Sequence, residues 1–272
     1  MKPQVGNTVV KTYRSVGNRT DLANGDNFYL KYVYNEAAIL NDSEFKFYFI
    51  GLLAADGYIS DKSNCIELCL KESDKDLLTI LRDILVPGKN LVYKEKQKAY
   101  RLAIVNKVIA DEVKRFINPS NKTFSLIFPY GIPDQYAKDF IRGYIDGDGN
   151  ISVKQGQRKF EQRTQYYYGT RLRVLGTRAF LLGLVANLQR LVDRDLNVNV
   201  HRKQQENIFY IELGFSRADR ILNYLYKGAT YFLKRKHEVF QFISNADSSV
   251  LAKNYGTPDG CYNMQESTKP SG

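Results

Sequence analysis

Phe49-Ile50-Gly51-Leu52-Leu53-Ala54-Ala55-Asp56-Gly57-Tyr58-Ile59 is answered later in the chain by Phe140-Ile141-Arg142-Gly143-Tyr144-Ile145-Asp146-Gly147-Asp148-Gly149-Asn150-Ile151. Each stretch is an apolar helical run with an internal glycine, closed by Asp-Gly and a short hydrophobic segment. Asp-Gly alone is a common helix stop. Here it occurs twice, 92 residues apart (148 − 56), with matched surroundings. Asp42 stands 14 residues before Asp56 (56 − 42) and Asp134 stands 14 before Asp148 (148 − 134), so the two helices have equal lengths from start to carboxylate. Ser43 or Asp42 can accept the orphan amides of the first helix, and Pro133-Asp134 opens the second, with either residue at the boundary. A doubled apolar helix that delivers one carboxylate per copy predicts two half-domains meeting at a shared acidic site, related by a pseudo-two-fold axis.

The elements that follow each helix repeat as well. After the first, alternation over 58–61 and 65–70 predicts a hairpin. A helix with Leu77, Leu78, Leu81, Ile84 and Leu85 on one face comes next, broken at Val86-Pro87-Gly88. A second hairpin over 91–95 and 100–105 leads to a helix capped by Asn106. After the second motif, strands over 150–154 and 166–175 flank a loop at 155–165. A helix capped by Thr177, a hairpin over 196–203 and 208–214, and a helix from Ser216 follow. The order αββαββα occurs twice, and a final helix spans 232–244. The fold class expected is α+β: two pseudo-symmetric halves with antiparallel, saddle-shaped sheets around a central two-helix interface. The expected divisions are a weakly structured extension at 1–40, half-domains at 41–132 and 133–245, and a flexible tail at 246–272.

The two motif stretches resemble those of the LAGLIDADG homing endonucleases. Gly51, Asp56 and Gly57 fit the third, eighth and ninth motif positions, and Gly143, Asp146, Asp148 and Gly149 fit the third, sixth, eighth and ninth. Ala54 departs at the sixth position of the first copy, which does not carry the metal-binding carboxylate in that family. The resemblance covers residues 41–245. It implies a single-chain, monomeric endonuclease that makes double-strand breaks across the minor groove of a long DNA site and spreads a mobile intron or similar element. It also implies that the backbone carbonyls of Ala55 and Gly147 join Asp56 and Asp148 as metal ligands. Finally, it places a lysine ahead of the last element of each half near the scissile phosphate. Lys122 and Lys236 match, with Lys234 the substitute in the second half. A non-cleaving relative, either a transcription regulator or an intron maturase acting on RNA, is the alternative of another class.

Physical chemistry supports a metal without the resemblance. Two like charges brought together are costly unless a cation lies between them. Mg²⁺ or Mn²⁺ prefers carboxylate and carbonyl oxygens, and it lends hydrolysis an activated water and charge relief. The composition fits a polyanionic partner, with a formal charge of +11 over 272 residues. Strand alternation supplies a cation-rich face that matches base edges in the major groove. Arg171 and Arg173 alternate with Leu172 and Val174, while Asn197, Asn199, His201 and Lys203 alternate with Leu196, Val198 and Val200. Lys62, Lys71, Lys94 and Lys96 are the first-half candidates for DNA contact, and Lys154 and Arg158, at and beyond the start of the 155–165 loop, are candidates in the second half. Three cysteines without Cys-x-x-Cys spacing and two histidines argue against zinc and a disulfide framework. With no apolar run of membrane length and no apolar leader after Met1, an intracellular protein off the membrane is expected.

Overall fold

The computed structural model describes residues 32–120, 122–160, 163–203 and 208–245. Residues 1–31 of the expected extension and the expected tail at 246–272 lie outside them.

The first described helix is a single turn, α1 (Ala37–Leu40), followed by the first motif helix, α2 (Glu44–Asp56). Ser43 caps α2 by accepting the Lys46 amide, and Glu44 sits at the positive end of the helix. Every residue of α2 from Phe45 to Ala54 is buried. A helix apolar on all sides belongs in the middle of a core. Strands β1 (Gly57–Ile59) and β2 (Cys65–Lys71) follow, then α3 (Lys75–Leu85), β3 (Val92–Lys94), β4 (Ala99–Val105) and α4 (Lys107–Lys114). Asn106 caps α4 through the Ile109 amide.

The second motif helix, α6 (Asp134–Asp148), comes after a short connecting helix, α5 (Lys122–Ser125). Then come β5 (Gly149–Phe160), β6 (Arg163–Gly176), α7 (Arg178–Leu191), β7 (His201–Arg202), β8 (Phe209–Gly214), α8 (Ser216–Tyr226) and α9 (Lys234–Asn245). The described strands form two antiparallel four-stranded sheets, ordered β1-β2-β4-β3 and β5-β6-β8-β7. The identical order is the backbone signature of a repeated half.

The motif helices pack against each other at the centre, and two glycines set how closely. A Cβ on Gly51 would stand 2.1 Å from the Phe140 carbonyl oxygen, and one on Gly143 would stand 2.1 Å from the Tyr48 carbonyl oxygen. The contacts are reciprocal, as a two-fold axis between the helices requires. No side chain could intervene without pushing backbone from backbone.

Three expectations need correction. The segment expected as a strand over 196–203 pairs only at His201–Arg202. Leu196 is buried there and Val198 and Val200 pack on the core, so the alternation marks a buried side without a hydrogen-bonded ladder. The loop expected at 155–165 is instead the outer part of a long ribbon, with β5 and β6 paired from Gly149↔Val174 to Phe160↔Arg163. Residues 32–40, expected to end a weakly structured extension, pack on the body: Ile39 is fully buried, and the Asn35 amide donates to Leu85 O at 2.9 Å.

Candidate active site

Asp56 and Asp148 are the last residues of α2 and α6, so the paired helices bring both carboxylates to one end of their seam. A Cβ on Gly147 would meet the Ala55 Cβ at 2.3 Å and Asp56 Oδ2 at 3.2 Å. The Asp56 carboxylate therefore lies against the turn of α6 that carries Asp148. Asp56 keeps an exposed face and Asp148 is half-buried, which leaves the pair open to a ligand. Burial raises Asp56 above the usual carboxylate range, although Lys236, Lys122 and Arg235 oppose it. Burial, then the charge of Asp56, pushes Asp148 up to about 6. The Tyr144 hydroxyl also stands within hydrogen-bonding range of Asp148 and donates to Leu175 O at 3.0 Å. With one O–H it serves one acceptor at a time.

Two lysines flank the pair in mirrored cradles. Lys122 Nζ donates to Leu53 O at 2.8 Å, Ala55 O at 3.1 Å and Gly57 O at 2.6 Å. Lys236 Nζ donates to Ile145 O, Asp146 O and Gly149 O, each at 2.6 Å. Each ammonium thus closes the C-terminal end of a motif helix, where unsatisfied carbonyls and the helix dipole favour a cation. Burial lowers both lysines to about 8, and the nearby carboxylates limit the fall. All three N–H groups of each ammonium are committed to the backbone. Both lysines therefore act as fixed charges at the carboxylate pair. The Ala55 carbonyl, expected as a metal ligand, already holds a lysine; Gly147 lies beside Asp56.

Lys234 is exposed and reaches Glu238 at 3.9 Å. In the first half, Lys62 and Lys71 are exposed, Lys94 ends β3 and Lys96 sits in the turn after it. Arg171 and Arg173 lie on β6 and His201 on β7, while Lys154 and Arg158 fall on β5, their side chains outside the described set. Asn197 and Asn199 are exposed in the unpaired stretch before β7, and Lys203 follows that strand.

Composition and spacing did not reveal the polar framework behind the site. Asp146 is completely buried and accepts from Tyr48 Oη at 2.8 Å, Tyr226 Oη at 2.6 Å and the Leu233 amide at 2.8 Å. Burial raises its pKa against these donors. Arg142, also fully buried, pairs with Glu44 at 2.8 Å and Asp139 at 3.0 Å. It also donates to Leu225 O and Tyr231 O at 2.8 Å each. Glu44 accepts the Thr230 amide at 2.7 Å. The connection from α8 to Lys236 is thereby pinned to both motif helices. The first half has Ala54 where the second has Asp146, and Ile50 where the second has Arg142; these differences are the sequence signals of the asymmetry.

No family model matches the chain. A curated relative, the "uncharacterized cox1 intron-2 37.2 kDa protein" of Schizosaccharomyces pombe, is 24% identical over 209 residues, covering 68% of this chain and 60% of that protein. The chain therefore spans about three fifths of that relative's length. Among solved structures, the LAGLIDADG meganuclease I-AabMI bound to uncleaved DNA aligns with a TM-score of 0.52 at 13% identity, over 80% of this chain and 95% of that one. The LAGLIDADG meganuclease I-CpaMI bound to uncleaved DNA gives 0.51 at 14% identity, over 81% and 96%. The chain has the LAGLIDADG homing-endonuclease fold, in agreement with the resemblance of its two motif stretches. No described helix is long and apolar enough to cross a membrane.

Proposed function

We propose that this chain is a site-specific, metal-dependent DNA endonuclease that cuts both strands of a long duplex site. The observation that carries the reading is the convergence of Asp56 and Asp148 at the ends of two glycine-packed helices, between two lysines held in mirrored carbonyl cradles. Residues 41–132 and 133–245 are the two half-domains, each supplying one aspartate and one lysine, so a single chain suffices.

The donor set suits Mg²⁺ or Mn²⁺. Two carboxylates raised by burial, Asp148 also by the charge of Asp56, gain most from a hard cation, and such ions bind through one or two carboxylates with water and phosphate oxygens as the remaining ligands. No group of three or more His, Cys, Asp and Glu side chains suited to a metal occurs among the described residues. When bound, the cation supplies Lewis acidity and charge neutralisation. Asp56 and Asp148 would hold it at the seam. Lys122 and Lys236 offset developing negative charge as preorganised positive charges, at no cost of reorientation. The outward faces of the sheets, carrying Arg171, Arg173, Lys71 and Lys94, track the duplex.

The test is selection of cleaved sites from a randomised duplex library with Mg²⁺. The full chain should yield one long consensus cut on both strands. Asp56→Asn and Asp148→Asn should each abolish double-strand cutting and keep binding. A wild-type chain that binds a site but leaves it uncut in Mg²⁺ and Mn²⁺ would instead be a binding relative, whether regulator or maturase. The intron-encoded relative in Schizosaccharomyces pombe makes an intron the reading's natural host element.

A further inference from the structure

The outward face of the second sheet carries a built arginine cluster. Ile151, Leu172, Val174, Ile211 and Leu213 are buried beneath the sheet; the alternate positions face away. In the ladder Arg173 stands opposite Glu212, and Arg171 opposite Gly214. Glu212 Oε2 accepts from Arg173 Nε at 2.8 Å and from Arg173 Nη2 at 2.6 Å. It also accepts from Arg171 Nη2. The Arg173 guanidinium lies over the Tyr210 ring, 4.7 Å from its centroid, and Tyr210 stacks in turn on His201 at 5.3 Å. Burial pushes the Glu212 carboxyl up, but the bonds from Arg171 and Arg173 outweigh it and hold the group below its usual range. Glu212 is thus an anion wherever DNA is bound at neutral pH.

This arrangement fixes which edge of Arg173 is free. A guanidinium carries five N–H donors in a rigid plane. Glu212 takes the edge formed by Nε and Nη2, and Tyr210 covers one face. The end-on edge, with Nη1 and the second Nη2 hydrogen, has no partner among the described residues. Two parallel donors on a fixed plane match the O6 and N7 acceptors of guanine in the major groove. Two arginines against one carboxylate also leave the cluster with a net positive charge, which favours approach to DNA.

We propose that Arg173 reads a single guanine in the target site, and that Glu212, with Tyr210 behind it, is the positioning residue that sets the guanidinium for that contact. The proposal rests on the reading above that this sheet faces duplex DNA. A solitary arginine on an open sheet samples many rotamers and contacts phosphate as readily as base. A buttressed arginine has already lost that freedom, so binding discriminates more sharply.

The experiment uses the full chain and the site recovered by library selection, with every base pair varied singly and both binding and cutting measured. Wild type should prefer guanine at one position by about 5- to 150-fold, the worth of a good bidentate contact. Arg173→Lys keeps the charge and loses the fork. It should erase most of that preference at that position alone, so that the gap between cognate and non-cognate binding closes there and nowhere else. Glu212→Gln should narrow the same preference by about twofold or more and bind non-cognate duplex at least as tightly, because one negative charge is gone. A purely structural role for Glu212 would instead lower the melting temperature and weaken binding to every site. Unchanged base preference in both variants, or loss spread evenly over all positions, overturns the proposal while leaving the endonuclease reading in place. A wild-type chain with no base preference at all overturns both.

Discussion

Alanine at Gly143 should force the two motif helices apart. An added Cβ would stand 2.1 Å from Tyr48 O, 2.9 Å from Leu52 N and 3.0 Å from Tyr48 C, where comfortable heavy-atom contact needs about 3.5 Å. All three atoms belong to the backbone, so no rotamer change relieves the overlap. The helices must separate locally by roughly 1 Å. Overpacking a tight core costs about 1–3 kcal/mol, and a backbone-on-backbone contact belongs at the upper end. Alanine returns about 1 kcal/mol in helix propensity, leaving a net loss near 2 kcal/mol. For a body of this size, that lowers the melting temperature by about 4–8 °C. Circular dichroism of thermal and urea unfolding reads the loss directly. Gly51→Ala should match it, since its Cβ meets Phe140 O at the same 2.1 Å. Because α2 and α6 end in Asp56 and Asp148, both variants should also lose cutting beyond what their folded fraction explains. A Gly143→Ala protein that melts at or above the wild-type temperature would refute the close-packed seam.

Two further outcomes follow from the buried polar framework. Tyr226→Phe removes the hydroxyl that donates to Asp146 at 2.6 Å and leaves a buried carboxylate one donor short. Urea unfolding should show a loss of about 1.5–3 kcal/mol, and no measurable loss would take Tyr226 out of the framework. Burial raises Asp139 from the ordinary 3.8 to about 6, against the pull of Arg142. The folded chain then holds this proton more tightly than the unfolded chain, so the group's stabilising contribution is complete below 3.8 and disappears as pH rises through about 6. Between those values wild type should lose stability relative to Asp139→Asn, and the two curves should run parallel above pH 7; parallel curves throughout would contradict the assignment.

The fold was legible because its decisive signals are local. Apolar runs with fixed glycines gave the seam, and Ser43, Asn106 and Thr177 gave helix starts that the structure satisfies through the amides of Lys46, Ile109 and Phe180. Alternation misled at 196–200, because Leu196, Val198 and Val200 report which side is buried and carry no information about pairing. The inner part of the β5–β6 ribbon was legible, but its outer part at 155–165 was not, for the opposite reason: it has a ladder but little apolar alternation. The positions of Lys122 and Lys236 at the carboxylate pair came from the family resemblance, whereas their carbonyl cradles depend on helix ends 65 to 91 residues away. Asp146 draws its side-chain and amide donors from 80 to 98 residues away, a distance no local pattern spans. Nothing local marked Arg142; only the packed structure supplies its carboxylates and carbonyls.

Manganese binding by the full chain on its selected duplex, followed by electron paramagnetic resonance, tests the shared acidic site most directly. Wild type should take up Mn²⁺ saturably, and Asp56→Asn and Asp148→Asn should each weaken that uptake while still holding the duplex. Undiminished Mn²⁺ binding in either variant would mean that the two aspartates do not form one cation site.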